Sequence, residues 1–173
     1  MSPLPLCALL AGLLCLGTGA RAWTYGDWRA AVDIGAEGQV ADCSAGTGGD
    51  GLPRLFVSMR PGDGTPRIWL EESAPRHYPT ALKDGQAAEF SVDGTVLAGT
   101  PATAGLDDEG IMQARAEVPA DVAEAVLPAM AAGSAIKVST GGRLVAELPL
   151  RGFTAAYLKM AELCGRDGAL IGR

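Results

Sequence analysis

Chemistry in this 173-residue chain would have to come from one histidine, four cysteines and a few clusters of acids. The histidine, His77, lies in EESAPRHYP, with Glu71 and Glu72 a few positions upstream. Those residue types suit a metal ligand or a general base. A zinc site, however, draws on three or four well-placed donors, and one imidazole beside two flexible carboxylates falls short of that. Pro75 and Pro79 flank the histidine and place it on an exposed loop, so His77 reads as a solvated side chain. A hydrolase centred on it is the least favoured reading, one that a function-abolishing His77→Ala variant would rescue.

The other candidates thin out in the same way. Asp107, Asp108 and Glu109, in LDDEG, suggest calcium, but the alternate-position oxygens and closing glutamate of a calcium loop are missing. They read as an acidic turn. Gly46 to Gly51, GTGGDG, resembles a phosphate cradle only in its glycines. No helix start follows to supply amides and a dipole, and Leu52-Pro53 leads into a strand, so a hairpin loop is expected. Trp23, Tyr25 and Trp28 offer either a stacking surface for a sugar or partner, or the core side of a first strand. The core side is preferred, because large aromatics chiefly supply buried area. No G-x-S-x-G nucleophile elbow is present. No catalytic, cofactor-binding or metal-ligating residue is therefore assigned, no cofactor is expected, and the chain reads as non-enzymatic.

The cysteines speak to compartment. LPLCALLAGLLCLGTG, followed by Ala20-Arg21-Ala22, has the apolar run and small-x-small site of a secretory signal peptide over residues 1–22. The run is short for a bilayer-spanning helix, which needs about 20 apolar residues, so no stable membrane insertion is expected after cleavage. Removal takes Cys7 and Cys15 away and leaves Cys43 and Cys164, which in an oxidising compartment read as one disulfide. Eleven arginines against three lysines, with abundant alanine and glycine, point to a GC-rich bacterial genome and hence a periplasmic or secreted protein. Twenty acidic against 14 basic residues give a net charge of −6. Without basic clusters, such a chain is a poor ligand for nucleic acid or anionic lipid.

The elements that must position these residues follow from periodicity. Phe153, Ala156, Tyr157, Met160, Ala161 and Cys164 fall at the spacing of one buried helical stripe, so Cys164 faces the core, and Gly165 suits the left-handed turn beyond the helix. A second helix is expected in ADVAEAVLPAMAAG, with Pro119 and Asp121 at its start, Gly133 at its end, and Pro128 shortening or kinking it. Strands are predicted where apolar residues alternate: Leu55, Val57 and Met59; Ile68 and Leu70; Ala88, Phe90 and Val92; Met112, Ala114, Ala116 and Val118; Ile136 and Val138; Leu144, Ala146 and Leu148. Asp93-Gly94 and Gly141-Gly142 mark two hairpins. Gly46–Pro53 and about Gly99–Gly110 read as loops. Residues 23–173 are thus expected to form a single β-rich exported domain, mainly antiparallel β, as a sandwich or open barrel with two short helices, one of them C-terminal.

Taken in order, the leader, WTYGDWRAAV, a strand ending in a cysteine, the helix DVAEAVLPAMAAG, the strands AIKVS and LVAELPL, and finally RGFTAAYLKMAELC resemble the invasion-associated locus B family of exported bacterial proteins. Gly133, Ile136, Val138, Leu148, Gly152, Phe153 and Ala156 carry the resemblance. It implies an envelope-located, β-rich, non-enzymatic protein, linked in some pathogens to invasion of host cells, a role nothing in these residues displays. The expected function is that of an interaction or accessory protein whose partner is an unknown envelope or host protein, engaged through a surface or an exposed strand edge. The alternative is a small-ligand binder with a pocket between the sheet and the C-terminal helix.

Overall fold

The computed structural model describes residues 22–49, 51 and 53–171. The expected signal peptide falls almost wholly outside the described residues, which begin with Ala22 in the first strand. Eleven strands and two helices follow one another as β1 (Ala22–Tyr25), β2 (Trp28–Ile34), β3 (Val40–Thr47), β4 (Arg54–Met59), β5 (Arg67–Ser73), β6 (Ala87–Val92), β7 (Thr95–Pro101), β8 (Thr103–Leu106), β9 (Met112–Glu117), α1 (Ala120–Ala132), β10 (Ala135–Thr140), β11 (Arg143–Pro149) and α2 (Phe153–Leu163). They build a seven-stranded sheet in the order β1-β2-β3-β4-β5-β9-β8 and a four-stranded sheet in the order β11-β10-β6-β7. All pairings are antiparallel. This is a sandwich and not a closed barrel.

Alternation decides which face of each strand is buried. Trp28, Ala30 and Val32 of β2, Cys43 and Ala45 of β3, Leu55 and Val57 of β4, and Ile68 and Leu70 of β5 point inward, as do Ala88, Phe90 and Val92 of β6. With Phe153, Ala156, Tyr157 and Met160 of α2 they form one continuous core. α2 lies on the inner face of β1, β2 and β3. There Cys164, the residue that closes α2, is bonded to Cys43 of β3, with the two Cα atoms 5.9 Å apart and 121 positions between them in the chain.

Four local expectations are corrected. The stretch from Gly99 to Gly110 is not one loop. β7 runs through Gly99 to Pro101, the chain crosses from one sheet to the other at Ala102, and β8 continues to Leu106. Ala102 is 2% exposed, and its backbone both donates to Gln86 and accepts from Gly85 at 2.8 Å, so the crossing carries no unpaired polar group. Gly46 and Thr47 belong to β3 rather than to the loop after it. Leu144 points outward and is 56% exposed, because a bulge sets Val138 opposite Ala146 but Ser139 opposite Leu144. The extra residue, Val145, turns Leu144 to the other face, as a one-residue slip must. Pro128, finally, does not shorten α1, which runs on to Ala132. Proline costs least where the carbonyl it strands can reach water, and both Pro128 and Glu124, whose carbonyl loses its partner, are exposed.

One close approach fixes how the ends of the sandwich meet. Gly152, before α2, has φ +95°, and a Cβ there would stand 1.8 Å from the carbonyl oxygen of Tyr25. Next to it, Asp27 N–H donates to Arg151 O at 3.0 Å, and the Arg151 guanidinium grips the Asp27 carboxylate with both arms. Gly152→Ala adds left-handed backbone strain to a collision with main chain, neither of which a rotamer change relieves. Urea unfolding should show a loss of about 3 kcal/mol or more. Gly142→Ala, at φ +75° with open space around the new methyl group, should cost only about 1–2 kcal/mol. Equal losses would show that the Tyr25 contact does not constrain the junction.

Candidate functional site

The residues singled out for chemistry are scattered, and most are occupied by structural work. His77 is exposed on the loop after β5, at φ 71°. Glu71 is ion-paired with Arg54 at 2.8 Å. Glu72 accepts from the backbone N–H groups of Ala81 and Leu82 at 2.6 and 3.1 Å, pinning the far end of that loop. Asp107 accepts from the amides of Glu109 and Ile111 and from Gln113 Nε2. The Ile111 amide is the largest of the influences that hold its carboxyl below the ordinary range. Its oxygens thus organise the β8–β9 turn. Ser134 and Lys137 have the S-x-x-K spacing of a serine nucleophile and its lysine. Strand β10 takes in Ala135 to Thr140 and therefore Lys137, whereas that chemistry needs both side chains on one helical face. Lys137 pairs with Glu147. Among the described residues, no three His, Cys, Asp or Glu side chains gather into a metal-sized group.

The three N-terminal aromatics divide between two strands of a hairpin. Trp28 is fully buried on the core side, while Trp23 and Tyr25 are half-buried on β1, where Lys159 Nζ stands 4.8 Å above the Trp23 ring.

A group that no motif announces lies on the outer face of the seven-stranded sheet. At the polar-side positions of β4 and β5 stand Phe56 and Trp69, direct cross-strand neighbours, their rings stacked at 5.2 Å and 24°. Guanidinium groups cover them: Arg54 lies 5.5 Å from the Phe56 ring, and Arg115 and Arg67 lie 4.2 and 5.9 Å from the Trp69 ring. Stacked arginine keeps its planar donors aimed rather than waving, at about 0.5–1 kcal/mol per contact in exposed positions. Two glutamates lock the array. Glu117 takes both arms of Arg67, at 2.7 and 2.9 Å, and Arg115 Nη2 at 2.9 Å, while Glu71 takes Arg54. The hydrogen bond from Arg67 is the main reason the Glu117 carboxyl titrates below its usual range. Trp69 Nε1, covered by its neighbours, finds no acceptor among the described residues, a cost of about 1–3 kcal/mol. Gly46 makes the pair possible from the next strand, since a Cβ there would press to 2.9 Å from the Phe56 ring.

Small residues leave a hollow on each side of this ridge. One, of about 320 Å³, is lined by Arg29, Ala31, Ser44, Gly46, Arg54 and Phe56. The other, of about 420 Å³, is lined by Glu71, Thr103, Gly105, Gln113 and Arg115 with the exposed Leu106 at its rim. At the far end of β2 and β3 the field reverses, because Asp33 and Asp42 are direct cross-strand partners. Partial burial, reinforced by the charge of Asp33, pushes the Asp42 carboxyl above its ordinary value. A raised carboxyl costs stability wherever it is ionised, so Asp42→Asn should gain about 0.5 kcal/mol at pH 7. That gain should shrink as pH falls through the raised value and the wild-type group takes its proton. Urea unfolding of the two proteins at pH 7 and pH 3.5 checks both parts, and a loss at pH 7 would contradict them.

The space between sheet and C-terminal helix, expected to hold a ligand on the alternative reading, is filled. Trp28, Phe153, Ala156 and Met160 meet there at 0% exposure and Tyr157 at 1%. A cleft of about 130 Å³ lies beyond the helix end, lined by Met59, Tyr157 and Arg166 among others, and Arg166 closes over it by donating to the carbonyls of Asp63 and Gly64. Three of the four sheet edges are guarded too. Bulges interrupt β7 at Leu97 and β11 at Val145, the two edges of the four-stranded sheet, and the N–H of Ala104 on edge strand β8 is taken by Asp84. Such devices discourage strand addition along β7, β8 and β11, and its aromatic and arginine side chains equip the outer face better for recognition than the four-residue β1 edge that remains. No helix among the described residues is long and apolar enough to cross a membrane.

No protein-family model matches this chain, and no curated protein does. Among solved structures, the crystal structure of invasion associated protein B from Bartonella henselae shares its fold, with a TM-score of 0.57 at 18% identity, over 83% of this chain and 96% of that one. The likeness is one of fold, in keeping with the fold that the sequence resemblance implies.

Proposed function

We propose that this chain is an exported, non-enzymatic interaction protein of the bacterial envelope, which recognises a protein partner through the outer face of its seven-stranded sheet. The arginine-clad Phe56–Trp69 pair carries the reading. Aromatic and arginine side chains dominate the energetic centres of protein interfaces. Here they stand on a sheet face that neither helix nor the second sheet covers. The disulfide and the shared fold with an invasion associated protein support an extracytoplasmic setting.

Site-specific photocrosslinking in the native host tests it. A photoreactive residue at Ser44 or Gln113, beside the ridge, should give a discrete high-mass adduct of the exported protein, whereas one at Ser91 on the four-stranded sheet should not. Adducts from Ser91 alone, or a protein recovered only from the cytoplasm, would overturn the proposal.

A further inference from the structure

Resting on that reading of the outer face, we propose that its partner presents an extended acidic segment, whose carboxylates are taken by the arginines flanking the Phe56–Trp69 stack. The chain as a whole is acidic, with a net charge of −6. Yet the central rows of this face bring together Arg29, Arg54, Arg67 and Arg115 against only Glu71 and Glu117. Every cation there is arginine, whose fork matches carboxylate geometry and whose plane is held by the rings beneath it. Arg67 spends both arms on Glu117, but the salt bridges use only part of two other forks: Arg54 and Arg115 each commit a single Nη2 to a glutamate. Donors therefore remain at the two ends of the ridge, one beside each hollow.

The shape selects an extended ligand. Both hollows open to the surface, and glycine, alanine, serine and threonine make up much of their lining beside the charged Arg29 and Arg54 of one and the charged Glu71, Asp107 and Arg115 of the other. From β3 to β8 the sheet crosses four strand spacings, about 19 Å, which a stretched segment of about six residues spans. The ring faces argue against an acidic glycan, since sugars bind aromatics by stacking and these faces are taken by one another and by guanidinium groups. Asp33 and Asp42 bound the basic field on one side, Asp107 lines the hollow on the other, and both would repel a carboxylate, so the segment's acidic side chains lie over β4, β5 and β9 while its ends reach the two hollows.

The test uses the full exported chain and three fluorescent probes: a hexaglutamate peptide, its hexaglutamine counterpart, and an oligogalacturonate of equal charge. Anisotropy should show hexaglutamate binding that weakens with salt and hexaglutamine not binding. Arg54→Ala and Arg115→Ala should each weaken it on the order of tenfold. Arg115→Lys, which keeps the charge and the fold but loses the stacked fork, should weaken it nearly as much. Lys137→Ala, on the other sheet, should leave it unchanged. Equal binding of hexaglutamine, or indifference to the arginine variants, would overturn the proposal, and tighter arginine-dependent binding of oligogalacturonate would replace the peptide by a glycan. If no probe binds while Ser44 still crosslinks to a partner in the host, the acidic segment is wrong and the interaction face stands. If the crosslink is lost as well, both fall.

Discussion

Replacing Cys43 and Cys164 together by alanine is expected to destabilise the protein by about 3–5 kcal/mol, the largest effect of any change that leaves the hydrophobic core nearly intact. The bond closes a loop with a sequence separation of 121. Opening it restores freedom to the unfolded chain worth about 5 kcal/mol in the chain-entropy account, less whatever the folded state regains by relaxing. Both residues are buried, at 0% and 6% exposure, so their loss also leaves the end of α2 held to β3 by packing alone. Against a typical stability of about 5–15 kcal/mol, that is about a fifth of the total or more. Urea unfolding of the oxidised wild type, the double variant and the wild type in reductant should give one high midpoint and two low ones. A double variant within about 1 kcal/mol of wild type would mean that packing secures the helix end unaided.

Trp28→Ala should cost a comparable amount, about 3–5 kcal/mol, for a different reason. The indole is fully buried at the start of β2, edge-on to Phe153 at 4.8 Å and 63°, and donates from Nε1 to Pro149 O at 2.9 Å. It thereby ties the first hairpin to the end of β11 and to α2 in one side chain. Alanine would leave a cavity ringed by elements pinned through the disulfide and the Gly152 junction, so little collapse can soften the loss. Trp28→Phe separates the two contributions. It keeps most of the packing but strands the Pro149 carbonyl, and should lose only about 1–3 kcal/mol. If phenylalanine proved as damaging as alanine, the hydrogen bond rather than the ring would be the main tie.

The sequence made some of this legible and hid the rest for physical reasons. Alternation placed Ala88, Phe90 and Val92 inward, and the helical stripe from Phe153 placed Cys164 against the core, because burial imposes its period wherever one face of an element meets a partner. The bulge that turns Leu144 outward is a matter of hydrogen-bond register between β10 and β11, and no pattern within β11 reveals it. Pairing with β6 and β9 carries Gly99–Leu106 into two strands despite the glycines that suggested a loop, and only Asp107–Gly110 remains a turn. The outer-face array was out of reach because its parts are far apart in the chain. Arg54 and Phe56 sit on β4, Arg67, Trp69 and Glu71 on β5, and Arg115 and Glu117 on β9. Only the placement of β9 beside β5, after β6 and β7 of the second sheet have intervened, unites them. A signal was present: Phe56 and Trp69 occupy positions where alternation calls for polar residues, each with an arginine two places before it. Large aromatics on the wet side of a strand, bracketed by arginine, deserve to be read as a surface feature.

The long span between Cys43 and Cys164 also sets an order of events. When the chain emerges N-terminus first, strands β1 to β5 can pair while the second cysteine is still far behind, and the Cys43 thiol waits on a sheet whose inner face α2 has yet to cover. The bond needs residue 164, just past α2, the last element, so it can form only after every strand has been made. Oxidation of this pair thus reports completion: a chain cut short anywhere before residue 164 lacks the second thiol and leaves Cys43 on an apolar sheet face without the end of α2 bonded to it. The same bond that stabilises the finished molecule would mark which molecules are finished.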